Sequence, residues 1–184
     1  MNNKYLALLL PLFGVIGLLV YKLLHKQVNF DPTNKNDMST KISKMSDAGK
    51  EFIKKWEGKR LNSYDDGSGT WTIGFGHTNG VKQGQSITDN QANLYFDEDI
   101  KIFEDFVSKL ELDFTQQQFD AVCSLVYNIG EGQFLSSTLY KVLKENLTNY
   151  ERISAAWSLW IYAGGVILQG LKNRRLDEVK FYFS

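Results

Sequence analysis

Three residues, Glu57, Asp66 and Thr72, combine side chains and a spacing that could cleave a glycosidic bond. They stand in the pattern Glu-x8-Asp-x5-Thr. A glycoside hydrolase typically needs two carboxyl groups, one on each side of the bond that it breaks. Glu57 and Asp66 could supply both. For an isolated pair of this kind, two solvated surface acids would be the simpler interpretation, so the surrounding residues must decide.

The sequence predicts a helix that ends at Glu57. Ser46 or Asp47 can cap its start, and Gly58 fits the position just past its end. In the last turn of a helix the unpaired carbonyl groups form the negative end of the dipole, which disfavours an ionised carboxylate. We therefore predict that Glu57 is the proton donor.

Asp66 lies in a glycine-rich turn, residues 65–69, between two predicted strands. Glycines let backbone amides face an anion, so Asp66 should stay ionised and can act as a base. Asp65 is adjacent and chemically identical, and only the spacing to Glu57 and Thr72 selects Asp66 over it. Because neighbours along a strand point to opposite faces, one aspartate should face the cleft and the other should face solvent.

The rest of the pattern is mostly helical. The capping boxes Thr88-x-x-Gln91 and Thr115-x-x-Gln118 each open an amphipathic helix. A further helix should follow position 136 or 137, another should carry Ile153, Trp157 and Trp160 on one face, and a last one should end near Phe181. With short strands at 61–64 and 70–73, this predicts an α+β domain in which a small β-hairpin lobe lies beside a helical lobe.

Four segments of the chain, in order, support a family assignment. They are residues 56–78 around the two acids, residues 118–130 with their terminal Asn-x-Gly, residues 134–139, and residues 163–178 with two adjacent arginines. Together they resemble the phage-type lysozymes, the endolysin muramidases of glycoside hydrolase family 24. The resemblance extends over roughly residues 46–182, and it implies a lysozyme-like fold.

The resemblance also implies a reaction and a site. The reaction is cleavage of the β-1,4 bond between N-acetylmuramic acid and N-acetylglucosamine in peptidoglycan, without a cofactor. Glu57 would be the general acid, Asp66 the base for the attacking water, and Thr72 a residue that positions this water. Such enzymes invert the anomeric centre, which predicts carboxyl groups about 6.5–9.5 Å apart. Substrate-binding residues would be Tyr127, Asn128 and Ser137.

Other polar residues receive a structural interpretation. His77 could be a general base or a metal ligand, but with only one other histidine and no nearby cysteine or carboxylate cluster we predict a hydrogen-bonded framework residue and no metal site. Arg174 and Arg175 are predicted to be surface or ion-pair residues rather than substrate ligands.

The N-terminal region predicts a membrane anchor, with residues 1–26 as the anchor, 27–45 as a flexible linker and 46–184 as the catalytic domain. Residues 5–24 are 20 nearly uncharged positions, enough for about 30 Å of helix. A cleavable signal peptide is disfavoured because no small-x-small site follows. In endolysins such a segment resembles a signal-anchor-release sequence, although its many leucines favour a stable anchor.

Charge is divided between these regions. Residues 1–45 carry six lysines and two aspartates, a net charge of +4, whereas residues 46–184 carry 15 basic and 19 acidic side chains, a net charge of −4. A basic segment suits anionic lipids, and a mildly acidic domain argues against nucleic acid as a partner. The lysines after the anchor favour a cytoplasmic domain, whereas the predicted function requires the peptidoglycan side, so the host inner membrane and a virion membrane both remain open.

Four alternative functions remain open. A lytic transglycosylase would use Glu57 without a water-activating Asp66. A virion-associated lysin would open the wall at the start of infection. A non-catalytic module would bind peptidoglycan, and residues 1–45 could permeabilise a membrane.

Overall fold

The computed structural model describes residues 41–67 and 69–184. The predicted anchor and most of the predicted linker lie outside these residues. Within the described part, no helix combines the length and the apolar character needed to cross a bilayer. The last residues of the predicted linker pack on the domain, where Met45 is buried and its N–H donates to Glu104 Oε1 at 2.8 Å.

The described chain forms an α+β, lysozyme-like fold that is mostly helical and has a small β-hairpin, as the sequence predicted. Its elements in order are α1 (Asp47–Glu57), β1 (Arg60–Asp65), β2 (Trp71–Gly74), α2 (Asp89–Ser108), α3 (Gln116–Ile129), α4 (Glu131–Ser136), α5 (Thr138–Glu145), α6 (Tyr150–Trp157), β3 (Tyr162–Ala163), β4 (Val166–Ile167) and α7 (Gln169–Tyr182).

Local capping explains where the main helices begin and end. Ser46 is the N-cap of α1, and Gly58 ends this helix with a φ of 69°, a conformation that glycine adopts without strain. Both predicted capping boxes are present, with Thr88 opening α2 and Thr115 opening α3. The position of Glu57 at the end of α1 therefore follows from local sequence.

Helix α3 is the centre of the described domain. Each of its residues from Gln118 to Val126 is buried, and it packs against α1, α2, α4 and α7. Strands β1 and β2 pair in an antiparallel hairpin with Tyr64 opposite Thr72, and β2 packs on α2. The hairpin that carries the second candidate acid is thus fixed to the helical body through β2.

The region after α6 differs from the prediction. We expected Trp160 on the same helix as Ile153 and Trp157, but α6 ends at Trp157 and Trp160 precedes a second hairpin, β3–β4. Gly164 and Gly165 form its turn, both with positive φ. Two adjacent glycines favour such a turn because they adopt positive φ without steric cost.

Candidate active site

Glu57 is held in place by an arginine from the far end of the chain. Arg174 on α7 donates from Nη1 to Glu57 Oε1 at 2.7 Å, across 117 positions of sequence. Arg174 is buried, whereas the Glu57 side chain keeps 21% of its surface exposed. The carboxyl group of Glu57 is therefore anchored on one oxygen and still accessible to a ligand.

The accessible side of Glu57 faces a groove. One cavity of about 410 Å³ is lined by Glu57, Asp99, Tyr127 and Asn128, and an adjoining one of about 540 Å³ shares Glu57 and Asn128 with it. A third, of about 320 Å³, continues from Asn128 towards Trp160 and its neighbours. Because these cavities share lining residues, they join into one elongated groove, which suits a linear polymer better than a small compact ligand.

Asp65 and Asp66 are both exposed but hold different bonds. Asp65 Oδ1 accepts from the backbone N–H groups of Gly67 and Gly69, at 2.8 and 3.0 Å. Asp66 Oδ1 accepts from the Thr70 N–H at 3.3 Å, and the Asp66 N–H donates to the Thr70 carbonyl at 3.1 Å. Asp65 closes the turn, and Asp66 pairs across it.

Thr72 braces the same turn from β2. Its side chain is buried, and its hydroxyl donates to the Thr70 carbonyl at 3.3 Å. The carbonyl of Thr70 thus accepts from both Asp66 and Thr72, which links the two candidate residues through one backbone group. Neither Asp66 nor Thr72 lines the three cavities around Glu57 and Asn128.

The three predicted substrate-binding residues have different surroundings. Tyr127 lines the groove beside Glu57, and its hydroxyl donates to the Phe75 carbonyl at 2.9 Å. Burial raises the pKa of this phenol, so it stays a donor. Asn128 is exposed and lines all three cavities. Ser137 is buried, caps α5 by accepting from the Tyr140 N–H, and lines none of them.

His77 is a buried framework residue, as predicted. Its Nδ1 lies 3.0 Å from both carboxylate oxygens of Asp99, its Nε2 lies 3.0 Å from the Asn79 carbonyl, and its ring stacks on Tyr95. Both ring nitrogens therefore lie against oxygen atoms that fix the orientation of the ring. Burial raises the pKa of Asp99, and the bond to His77 opposes that rise. In the described residues, no group of three or more histidine, cysteine or acidic side chains could hold a metal ion.

The sequence did not reveal how the two arginines are used. We predicted that they are surface or ion-pair residues. They do form ion pairs, but they do not lie on the surface, because both are buried. Arg174 and Arg175 both donate to Glu178, whose carboxylate is also buried. The only local indication was the spacing of Glu178, three and four residues after the arginines, which puts the three side chains within reach of one another on a helix.

Comparison with known proteins assigns the family. The family model described as phage lysozyme matches residues 54–178. The endolysin of Salmonella phage P22 is 39% identical over 146 residues, covering 76% of this chain and 99% of the relative. The endolysin of Acyrthosiphon pisum secondary endosymbiont phage 1 is 37% identical over 145 residues, covering 76% and 98%. A SAR-endolysin of bacteriophage PS119 is 31% identical over 124 residues, covering 66% and 73%.

Solved structures agree with this assignment. The muramidase domain of SpmX from Asticaccaulis excentricus superposes with a TM-score of 0.72 at 30% identity, covering 77% of this chain and 98% of that domain. An endolysin from Escherichia coli O157:H7 phage FAHEc1 has a TM-score of 0.68 at 36% identity, covering 77% and 94%. The chain belongs to the phage lysozyme family and is a lysozyme-type glycoside hydrolase, a peptidoglycan hydrolase of the endolysin type.

Proposed function

We propose that this protein is an inverting muramidase that cuts the β-1,4 bond between N-acetylmuramic acid and N-acetylglucosamine during lysis of a phage host. The observation that carries the proposal is the position of Glu57, at the end of α1, in the wall of an extended groove with one oxygen held by Arg174. The muramidase domain of SpmX has the same fold, which supports the same choice of bond.

In this mechanism Glu57 donates a proton to the glycosidic oxygen as the bond to the anomeric carbon breaks. Asp66 accepts a proton from a water molecule, whose oxygen attacks that carbon from the opposite face. The products are a shortened glycan with a new reducing end and a chain with a free hydroxyl group. The water adds one proton and one hydroxyl group across the bond, and no cofactor is needed. Inversion requires space for this water, so we predict carboxyl groups about 6.5–9.5 Å apart in the substrate complex.

The other proposed residues support the turn of Asp66, place the attacking water or contact the saccharide. Thr72 stabilises the turn that carries Asp66 through the shared Thr70 carbonyl, and it helps to place the attacking water. Tyr127 and Asn128 contact the saccharide, because both line the groove next to Glu57. The hydroxyl of Ser137 is used as a helix cap, so the proposal gives it no substrate contact.

We also propose that residues 5–24 tether the enzyme to a membrane, with residues 46–184 on the peptidoglycan side. The support is an apolar run long enough to span a bilayer and the similarity to a relative named a SAR-endolysin. Fractionation of cells expressing the full chain, combined with protease treatment of spheroplasts, tests both points. A domain that stays protected from external protease and is recovered from the cytosol would refute the tether.

The products of digestion test the activity. Purified protein is incubated with peptidoglycan in water enriched in oxygen-18, and the fragments are identified by mass spectrometry. Hydrolysis gives reducing ends that carry the label, whereas a lytic transglycosylase gives unlabelled 1,6-anhydro ends. Glu57→Gln should abolish release, and Glu51→Gln, an exposed acid on the same helix, should leave it unchanged. Proton NMR of the first product should show the α anomer.

A further inference from the structure

The arginine that holds Glu57 is itself held by a buried carboxylate. Glu178 lies one helical turn after Arg174 on α7 and is 0% exposed. Its Oε1 accepts from Arg174 Nε at 3.1 Å. Arg174 then donates from Nη1 to Glu57 and from Nη2 to the Ser124 carbonyl, at 2.7 and 3.2 Å. All three nitrogens of the guanidinium group are occupied. Of their three partners, Ser124 and Glu178 are buried and Glu57 lines the groove.

Glu178 is fixed by donors from three helices. Ser124 on α3 donates from its hydroxyl to Oε1 at 2.8 Å, and Trp157 on α6 donates from Nε1 to Oε2 at 2.8 Å. Arg175, on α7 itself, donates to Oε1 at 3.0 Å. A buried carboxylate with donors on both oxygens has a single orientation, and the cost of burying it is offset by these bonds. It can therefore act as a rigid support for Arg174.

The charges around Glu57 raise a problem that Glu178 helps to solve. A general acid must carry a proton, but a guanidinium group at 2.7 Å favours the ionised carboxylate. Arg174, Arg175 and Glu178 together carry a net charge of +1, and without Glu178 they would carry +2. The buried carboxylate thus lets Arg174 orient Glu57 through a hydrogen bond while limiting the positive charge beside it.

We propose that Glu178 is a positioning residue for the hydrolysis, acting through Arg174 on the orientation and the protonation of Glu57. This inference rests on the proposed role of Glu57 as general acid. Asp99 on α2 and Tyr127 on α3 line the same cavity as Glu57, and Arg174 lies between Glu57 and Glu178. A substitution of Glu178 replaces none of these three side chains, so a change in the pH profile reports on the lost carboxylate and its contact with Arg174.

The test measures reducing-end release by the full chain as a function of pH and of peptidoglycan concentration. In Glu178→Gln we expect kcat to fall about tenfold with little change in KM, because the acid loses its fixed orientation. We also expect the alkaline limb of the profile to move to lower pH, because the extra positive charge makes Glu57 lose its proton more easily.

Glu104→Gln is the matched control. Glu104 is also buried and accepts from the Met45 N–H, but it does not line the groove. This variant should lose stability and keep the pH profile of the parent. Since the same substitution removes a buried charge in both proteins, a general loss of stability would affect them alike.

Glu178→Asp separates geometry from charge. The shorter side chain keeps the negative charge and loses the contact with Arg174, so kcat should fall while the alkaline limb stays in place. In an Arg174→Lys background, Glu178→Gln should reduce kcat little further, because Glu178 acts on Glu57 only through Arg174.

Two results would overturn the inference. One is a folded Glu178→Gln protein with the kcat and pH profile of the parent; if that variant does not fold, parental kcat in Glu178→Asp has the same meaning. The other is a reduction in kcat by Glu178→Gln that is as large in the Arg174→Lys background as in the parent protein. A parent protein that releases no reducing ends, or a Glu57→Gln protein that releases them normally, would refute the proposed function instead.

Discussion

Gly49 on α1 lies directly against the carboxylate of Asp120 on α3. A Cβ atom at position 49 would lie 2.5 Å from Asp120 Cγ and 2.8 Å from Oδ2. Asp120 cannot easily move away, because its oxygens accept from the Ser46 N–H, the Ser46 hydroxyl and Gln116 Nε2. The helix that ends in Glu57 is thus fixed at its first turn by a close contact that only glycine permits.

Gly49→Ala should therefore destabilise the protein, although glycine to alanine in a helix usually stabilises by about 0.5–1 kcal/mol. Overpacking of a filled site costs about 1–3 kcal/mol, and we expect a loss of about that size in the free energy of unfolding. Urea denaturation measures it. Gly132→Ala is the control, since a Cβ there meets nothing within 4 Å and should be neutral or stabilising. Equal stability of the two variants would contradict the contact.

The stability of the fold should depend on pH through Asp120. Burial raises the pKa of this carboxyl, and the bonds from Ser46 and Gln116 only partly oppose the rise. A raised pKa means that the folded state binds the proton more tightly than the unfolded state, so this contribution to stability is present at low pH. It is lost as pH rises from the ordinary aspartate value, about 3.9, through the folded value.

Asp120→Asn should remove this part of the pH dependence, which unfolding midpoints in urea at a series of pH values can measure. Asp113→Asn, at an exposed position, provides the comparison. If the stability of the Asp120→Asn protein followed the parent in parallel at every pH, Asp120 would not be the group that titrates.

The two adjacent aspartates should differ sharply in function. Asp66→Asn removes the proposed base and should lower kcat at least about a hundredfold. Asp65→Asn weakens the bonds to Gly67 and Gly69 that close the turn, so it should lower stability more than the rate of the chemical step. Initial rates at saturating peptidoglycan, together with melting curves, separate these effects. If Asp65→Asn abolished activity and Asp66→Asn did not, the assignment of Asp66 as the base would be wrong.

The hydroxyl of Tyr127 connects α3 to the residue that follows β2, the carbonyl of Phe75. Tyr127→Phe removes the bond to the Phe75 carbonyl and should cost about 1 kcal/mol of stability. Tyr182→Phe removes a similar bond, to the Leu147 carbonyl, far along α7, and should cost a comparable amount. Only the first change should lower kcat/KM on peptidoglycan, because only Tyr127 lines the groove beside Glu57. Equal kinetic effects would mean that both act through stability alone.

The residues that the sequence could place are those whose partners lie a few positions away. Ser46, Thr88 and Thr115 each accept from a backbone amide three residues later, and Gly58 ends α1 because its backbone tolerates a positive φ. These bonds are local, so residue type and spacing are enough to predict them. They place Glu57 at a helix end and Asp66 in a turn, and the family motifs then select the reaction.

Tertiary structure decided what surrounds those residues. Arg174 meets Glu57 across 117 positions, and Asp99 meets His77 across 22, only because α7 and α2 pack beside the elements that carry the partners. Trp160 lies outside the helix predicted for it, because that helix ends at Trp157 and the chain continues into the β3–β4 hairpin. Side-chain types and periodicity predict which face of a helix is buried, whereas the choice of partner depends on how separate elements are brought together. The sequence by itself determined the candidate acids and their local elements, and packing between distant helices determined the groove and the charges that surround Glu57.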